Sequence, residues 1–202
     1  MNKRNALQWM AKSALAAGAA GLLAACQKEK ASFNAIDLTG ADYARDFAMP
    51  DQDGRQRTLA DFKGKVVVVF FGYTQCPDVC PTTLLDLANV KKQLGAKGEQ
   101  LQVVFVSVDP QRDTREVLKA YLANFDPSFV GLAGSPEQLA AMAKDFKVYY
   151  KKVEGSTPGS YTMDHSAGDY IFDGQGRLRL YSRYGAPPEQ LAADIQKLLD
   201  GA

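Results

Sequence analysis

Two cysteines and a histidine are the residues of this chain whose types and spacing best suit chemistry. Cys76 and Cys80 are separated by three residues, and His165 is the one histidine among 202 residues. Two thiolates and an imidazole form a soft ligand set that selects copper(I), and that can hold copper(II) with a fourth ligand or water. A structural zinc site usually needs four Cys or His ligands, which would require Asp78 or Asp164 in addition. The set therefore favours copper over zinc.

The same cysteine pair has two other interpretations, a structural disulfide and a redox pair. A disulfide that closes so short a loop removes only about 2 kcal/mol of chain entropy, so it would be a weak crosslink. Redox motifs more often have two intervening residues, and the stretch 164–170 has no proline where thioredoxin-type enzymes place one. Tyr73 and Pro77 stand where a peroxiredoxin would need a threonine. A peroxidase is therefore disfavoured, and a thiol–disulfide pair stays open.

The residues around the cysteines predict a strand, a loop and a helix. Val66–Phe71 is a continuous run of β-branched and aromatic residues, which is typical of a strand buried on both faces. Residues 72–81 form a loop, and Pro81 suits the first turn of a helix that runs to about Gly95. The positive end of that helix would favour the thiolate form of both cysteines.

The remaining elements predict an α/β fold with a central mixed sheet and helices on both faces. Leu101–Val108 is a second buried strand, and the segments 170–172 and 178–184 form a hairpin. Three further helices are predicted. One has Asp113 as its N-cap, one has Ser135 as its N-cap, and the last begins at Pro187 or Pro188. A thioredoxin-like fold fits this order of elements best.

His165 is expected in a loop, residues 154–166, that leads into the first strand of that hairpin. Such a loop would open at the same edge of the sheet as the cysteines, where α/β proteins bind their ligands. Asp164 and Ser166 could accept a hydrogen bond from the ring nitrogen that does not bind metal.

The N-terminus has the pattern of an export signal. Residues 1–25 contain three basic and no acidic residues and end in an apolar run, directly before Cys26. The sequence Leu-Ala-Ala-Cys predicts a lipoprotein signal peptide over 1–25 and lipid on Cys26. Residues 26–46 are predicted to be a flexible tether, and 47–202 the folded domain. The formal charge of +1 argues against binding to nucleic acid.

Three segments together resemble the Sco/SenC family. They are Phe71-Gly-Tyr-Thr-Gln-Cys-Pro-Asp-Val-Cys-Pro-Thr-Thr-Leu84, Val106-Ser-Val-Asp-Pro-Gln-Arg-Asp113 and Asp164-His-Ser166, in that order. The resemblance implies a membrane-anchored, thioredoxin-like protein that binds copper through Cys76, Cys80 and His165. Tyr73, Asp78 and Asp109 also match the family pattern.

The resemblance also implies a function and a location. Members of the family assist assembly of the binuclear copper centre in cytochrome c oxidase subunit II, and many bacterial members carry a lipid anchor in the cell envelope. We therefore expect a copper metallochaperone with subunit II as its partner and an upstream copper donor that the sequence does not identify. Two alternatives remain: a thiol–disulfide reductase that uses Cys76 and Cys80 on the partner's cysteines, and a copper or redox sensor.

Overall fold

A computed structural model describes residues 31–202 of the chain. The strands are β1 (Ile36–Asp37), β2 (Ala48–Pro50), β3 (Gln56–Thr58), β4 (Val66–Gly72), β5 (Leu101–Ser107), β6 (Val130–Leu132), β7 (Tyr150–Glu154), β8 (Tyr161–His165), β9 (Asp169–Phe172) and β10 (Leu178–Ser182). The α-helices are α1 (Val79–Gln93), α2 (Arg115–Ala123), α3 (Pro136–Phe146) and α4 (Pro188–Leu199). Short 3-10 helices cover Leu59–Phe62 and Gly95–Gln100.

Six strands form one mixed sheet in the order β1-β10-β9-β4-β5-β6. Strands β4, β5 and β6 are parallel, whereas β9 runs antiparallel to β4, and β10 to β9. Two separate pairs, β2–β3 and β7–β8, form small antiparallel sheets. The predicted mixed sheet is therefore confirmed, with β4 and β9 at its centre.

Strand β4 is buried on both of its faces, as its continuous apolar run predicts. On one face the ring of Phe71 packs against Phe146 of α3, with centroids 5.4 Å apart. On the other face Gly72 lies against Phe105 and against Cys80 of α1. Helices therefore cover both faces of the sheet, and the predicted thioredoxin-like α/β architecture is confirmed.

Helix α3 begins as its sequence predicts, but α2 does not. Ser135 and Gln138 form a capping box, with Pro136 in the first turn of α3. At α2, however, Thr114 is the N-cap and accepts a hydrogen bond from the backbone N–H of Val117. The predicted cap, Asp113, is buried and hydrogen-bonded elsewhere, because its carboxylate has stronger partners at the end of β4.

The prediction of a flexible tether as far as residue 46 is wrong for residues 33–46. The backbone N–H groups of Asn34 and Ala35 each donate to the carboxylate of Asp194 at 2.8 Å. Strand β1 pairs with β10, and Ala44 is fully buried. These bonds attach the segment to the domain, which begins at Phe33.

The predicted signal peptide (1–25) and lipidated Cys26 lie outside the described residues. None of the helices in residues 31–202 is long and apolar enough to cross a membrane.

The predicted loop of residues 154–166 is also wrong in part, because it contains strand β8. This strand pairs with β7, with Tyr150 opposite His165 and Glu154 opposite Tyr161. Tyr161, Met163 and His165 are half-buried, whereas the two residues between them are exposed. That alternation is the period-2 signal of a strand, but the surrounding Gly, Pro and Ser residues obscure it. His165 is therefore the last residue of a hairpin strand.

Candidate metal centre

The two cysteines lie where β4 passes into α1. Cys76 is in the connecting loop, with its backbone N–H donating to the carbonyl of Tyr73 at 3.2 Å. Cys80 is in the first turn of α1, and its backbone N–H donates to the sulfur of Cys76 at 3.5 Å. Both are free thiols. The helix N-terminus therefore directs an N–H group at Cys76, as the predicted strand–loop–helix order requires.

The imidazole of His165 is held in one orientation by its neighbours. Its Nδ1 lies 3.0 Å from the carbonyl oxygen of Ser166, and a carbonyl can only accept, so Nδ1 donates this bond. Nε2 then faces the sulfur of Cys80 at 3.5 Å. This hydrogen bond fixes the tautomer that leaves Nε2 free to bind a metal. Ser166 thus supplies the predicted acceptor through its backbone, whereas Asp164 is exposed.

The structure brings the three predicted ligands together at one point. One sulfur from Cys76, one from Cys80 and one ring nitrogen of His165 all lie within 4.8 Å of one another. A metal bonded at about 2.0–2.3 Å separates its ligands by roughly 3.5–4 Å, so the donors need only a small contraction to share one ion. Within residues 31–202 no carboxylate joins this group, so Asp78 and Asp164 are not brought in as a fourth ligand.

Cys80 is the most enclosed of the three groups. Its side chain is fully buried, and a Cβ added to Gly72 would lie 2.8 Å from its sulfur. Burial raises the pKa of the Cys80 thiol far above its ordinary value. The expectation that the helix N-terminus would favour its thiolate is therefore wrong for Cys80 in the metal-free protein. Desolvation outweighs the helix dipole there, and metal binding must displace the proton.

Aromatic rings enclose the imidazole of His165. The rings of Tyr73 and Phe70 both meet it edge-on, with centroids 5.9 Å and 6.2 Å away. These contacts limit how the imidazole can turn and keep one side of the centre dry. The match of Tyr73 to the family pattern thus corresponds to a packing position beside the histidine.

Asp113 supports the loop that carries the cysteines, whereas its sequence position predicts a helix cap. Its carboxylate accepts from the hydroxyl of Thr74 at 2.6 Å, from the Thr74 backbone N–H, and from the hydroxyl of Ser107 at 2.6 Å. These bonds fix the start of the cysteine loop against the end of β5. The signal was the position of Asp113 within the segment 106–113, which begins at the end of the buried strand β5.

Comparisons with known proteins show which family the sequence and the fold resemble. The sequence matches the SCO1/SenC family over residues 37–200. Apo Sco1 from Thermus thermophilus is 42% identical with a TM-score of 0.74, and the match covers 83% of this chain and 97% of that one. ScoI from Bradyrhizobium japonicum, solved with copper bound, is 41% identical with a TM-score of 0.70, over 76% of this chain and 97% of that one.

A third structure has the same fold at lower identity. It is a SCO1/SenC family lipoprotein from Bacillus anthracis, 30% identical with a TM-score of 0.65, over 76% of this chain and 92% of that one. The family match spans most of the described residues and includes both cysteines and the histidine. On its sequence, its thioredoxin-like fold and these similarities, the chain belongs to the SCO1/SenC family.

Proposed function

We propose that this protein is a copper(I) metallochaperone whose ligands are Cys76, Cys80 and His165. The observation that carries the proposal is the convergence of two sulfurs and one ring nitrogen within 4.8 Å. Soft thiolates with one imidazole select copper(I), and three ligands suffice for it. The copper found in the similar ScoI of Bradyrhizobium japonicum supports the same metal here.

Loading the site requires the loss of the proton that burial holds on Cys80. Copper(I) binding replaces that proton, which leaves to solvent, and the thiolate charge is then neutralised by the metal. His165 presents Nε2 without any proton rearrangement, because Nδ1 already donates to the Ser166 carbonyl. Copper uptake is therefore a ligand exchange with no change in oxidation state.

Release can proceed from the histidine side. His165 ends strand β8 of an exposed hairpin, whereas Cys80 is fixed in the core. An incoming partner thiolate would displace the imidazole first and then take copper from the two cysteines. Proteins of the Sco family act in cytochrome c oxidase assembly. We therefore propose subunit II of that oxidase, with its binuclear copper centre, as the recipient.

The proposed location is the outer side of a bacterial membrane, with the protein held by lipid on Cys26. The signal-like residues 1–25 and the cysteine that follows them support it. The similar lipoprotein of Bacillus anthracis supports the same arrangement. The prediction of a tether is kept only for the part of residues 26–46 that precedes Phe33.

The test is anaerobic copper(I) binding to the purified protein beside His165→Ala, with thiol titration of the same samples. We expect one copper(I) per chain and two titratable thiols at the centre in the metal-free form. Loss of the imidazole should weaken binding by about 10- to 100-fold, since one of three ligands is gone. Failure of the wild type to retain copper, or an unchanged affinity in the variant, would refute the proposal.

One observation favours a second function, thiol–disulfide reduction of the partner's copper-binding cysteines. Cys76 is half-buried and Cys80 fully buried, and both are free thiols, which suits an attacking and a resolving cysteine. In this reaction Cys76 attacks the partner disulfide, and Cys80 then releases the reduced partner as the pair is oxidised. A Cys80→Ala variant should trap the mixed disulfide, and His165→Ala should leave the rate unchanged. Absence of any trapped partner would exclude this function.

A further inference from the structure

Arg112 contacts both halves of the candidate metal centre. It follows β5, and its Nη1 donates to the side-chain oxygen of Gln75, next to Cys76, at 3.0 Å. The same nitrogen donates to the backbone carbonyl of Tyr161 at 3.0 Å. Tyr161 begins the strand that ends at His165. One guanidinium therefore joins the cysteine loop to the histidine hairpin.

Two further contacts make this junction rigid. The guanidinium pairs with the carboxylate of Asp109, which is only 4% exposed, and it stacks on the ring of Tyr161 at 3.6 Å. The hydroxyl of Tyr161 donates to the other oxygen of Asp109 at 3.0 Å. Asp109, Arg112 and Tyr161 thus form a closed cycle, which we term the Arg112 clamp. A planar, multiply bonded guanidinium holds its partners in a fixed relative position, as a lysine could not.

The clamp is not the arrangement that stability alone would favour. Nη2 of Arg112 is buried and has no hydrogen-bond partner among the described residues. An unsatisfied buried N–H lowers stability, and such departures from local optimisation concentrate at functional sites. Hairpin β7–β8 pairs with no strand of the central sheet, so its position depends on side-chain contacts, which include the packing of Tyr150 and Met163 against the core. The Arg112 clamp supplies such contacts close to the cysteine loop.

We propose that Arg112 is a positioning residue for copper binding: it sets the distance between His165 and the two cysteines by joining the hairpin to the cysteine loop. This inference rests on the proposed function for its copper readout. Without the clamp, the hairpin is attached less firmly. The free energy of copper(I) binding is then reduced by the entropy cost of ordering His165. Arg112 acts through His165, so its effect should disappear when the imidazole is absent.

The first test is a double-mutant cycle in copper(I) affinity, measured anaerobically by competition with a chromophoric chelator. Arg112→Gln should weaken binding about 10-fold, within the range usual for residues that orient metal ligands. In the His165→Ala background the same change should have less than about a twofold effect, because the two residues act as a unit. Tyr161→Phe, which keeps the stacked ring and loses the bond to Asp109, should weaken binding by roughly threefold.

Arg57→Gln is the matched control. Arg57 pairs with Asp51 at 2.7 Å, its side chain is 25% exposed against 20% for Arg112, and its partner carboxylate is equally buried. Within residues 31–202, Arg57 makes no contact with the metal centre, and its guanidinium lies near the ring of Phe62. Loss of the Arg57–Asp51 pair should lower the melting temperature as Arg112→Gln does. The copper affinity should stay within twofold of the wild-type value. A similar loss of affinity in both variants would mean that Arg112 acts through general stability.

A second readout needs no copper. The chain has one histidine, so the ring signals of His165 are unique in a ¹⁵N spectrum. In the metal-free wild type at pH 8 they should report one ordered imidazole with Nδ1–H, and Arg112→Gln should shift or broaden these signals, because the ring then samples other positions relative to the sulfur of Cys80. Unchanged ring signals, or an equal loss of affinity with and without His165, would overturn the inference. Failure of the wild type to bind copper would refute the proposed function alone, and the ring signals would still test the clamp.

Discussion

The cysteines and the histidine of the centre are held by regions of very different construction. Strands β4 and β5, which lead to the cysteine loop, are buried along their whole length. Hairpin β7–β8, which carries His165, has no fully buried residue in either strand. The two cysteines therefore follow a fully buried strand, whereas the histidine belongs to a hairpin at the surface of the domain. Under the proposed function, this difference implies that the imidazole on the exposed hairpin leaves copper before the two cysteines do.

Hydrogen exchange should show the largest contrast between the two regions. In the metal-free protein we expect amides of β7 and β8 to exchange at least about 1000-fold faster than those of β4 and β5, because the hairpin can open without disrupting the core. Copper(I) should slow exchange in the hairpin and leave the sheet unchanged. Equal protection of hairpin and sheet would contradict the comparison.

The substitution Gly72→Ala should disturb the part of the metal centre that carries the two cysteines. The added Cβ would lie 2.7 Å from the ring of Phe105 and 2.8 Å from the sulfur of Cys80, so neither fully packed neighbour can stay in place. We expect a loss of about 1–3 kcal/mol in the free energy of unfolding, together with weaker copper(I) binding. Chemical denaturation and copper competition on the same variant measure both effects.

Gly174→Ala is the control for that substitution. Its added Cβ would meet no atom closer than 3.4 Å, an ordinary contact. The control should keep both wild-type stability and wild-type copper affinity. If Gly72→Ala behaves like the control, Cys80 is less tightly enclosed than its burial indicates, and the contrast between the two halves is smaller.

The substitution Asp169→Asn tests, through the pH dependence of stability, how well the buried sheet excludes water. Asp169 begins β9, and burial raises the pKa of its carboxyl to about 8, with Asp86 of α1 adding to the shift. Tyr181 and Arg183 also lie nearby, and Oδ1 has no hydrogen-bond partner among the described residues. The core here is therefore dry enough to keep a carboxylic acid neutral at pH 7.

The direction of that pH effect follows from the proton count. The unfolded chain ionises Asp169 near pH 4, whereas the folded protein keeps the proton up to about pH 8. Unfolding therefore releases a proton, and this group lowers the free energy of unfolding by up to about 1.4 kcal/mol per pH unit as pH rises between these values. Asp169→Asn should remove that slope in urea unfolding at pH 5, 6 and 7. Parallel curves for wild type and variant would contradict the prediction.

The three candidate ligands and the core of the fold could be predicted from the sequence because their signals are local or scarce. A run of six β-branched and aromatic residues such as 66–71 is compatible with few structures other than a buried strand. Two thiols and one imidazole in a domain leave few ways to assemble a soft ligand set. The family motif around the cysteines added the pairing with His165.

Several expectations failed where a local pattern competed with distant partners. Asp113 has the spacing of a helix cap, yet Thr74 and Ser107 hold its carboxylate in the core. Residues 33–46 look like a linker, yet they pair with β10 and bond to Asp194. The helix dipole at Cys80 predicts a thiolate, yet burial reverses the balance. In each case the surroundings that the folded chain provides outweighed the local pattern.

The sequence by itself determined which atoms can bind copper, which strands form the core and which helix presents the cysteines, since each depends on residue type and short spacing. Only the tertiary structure decided that Nε2 of His165 faces Cys80, that Cys80 is enclosed, and that Arg112 joins the hairpin to the cysteine loop. These features depend on contacts between residues 37 to 85 positions apart. The spacing of apolar residues in the sequence does not indicate such contacts, because they form only when the sheet and the hairpin have folded against each other.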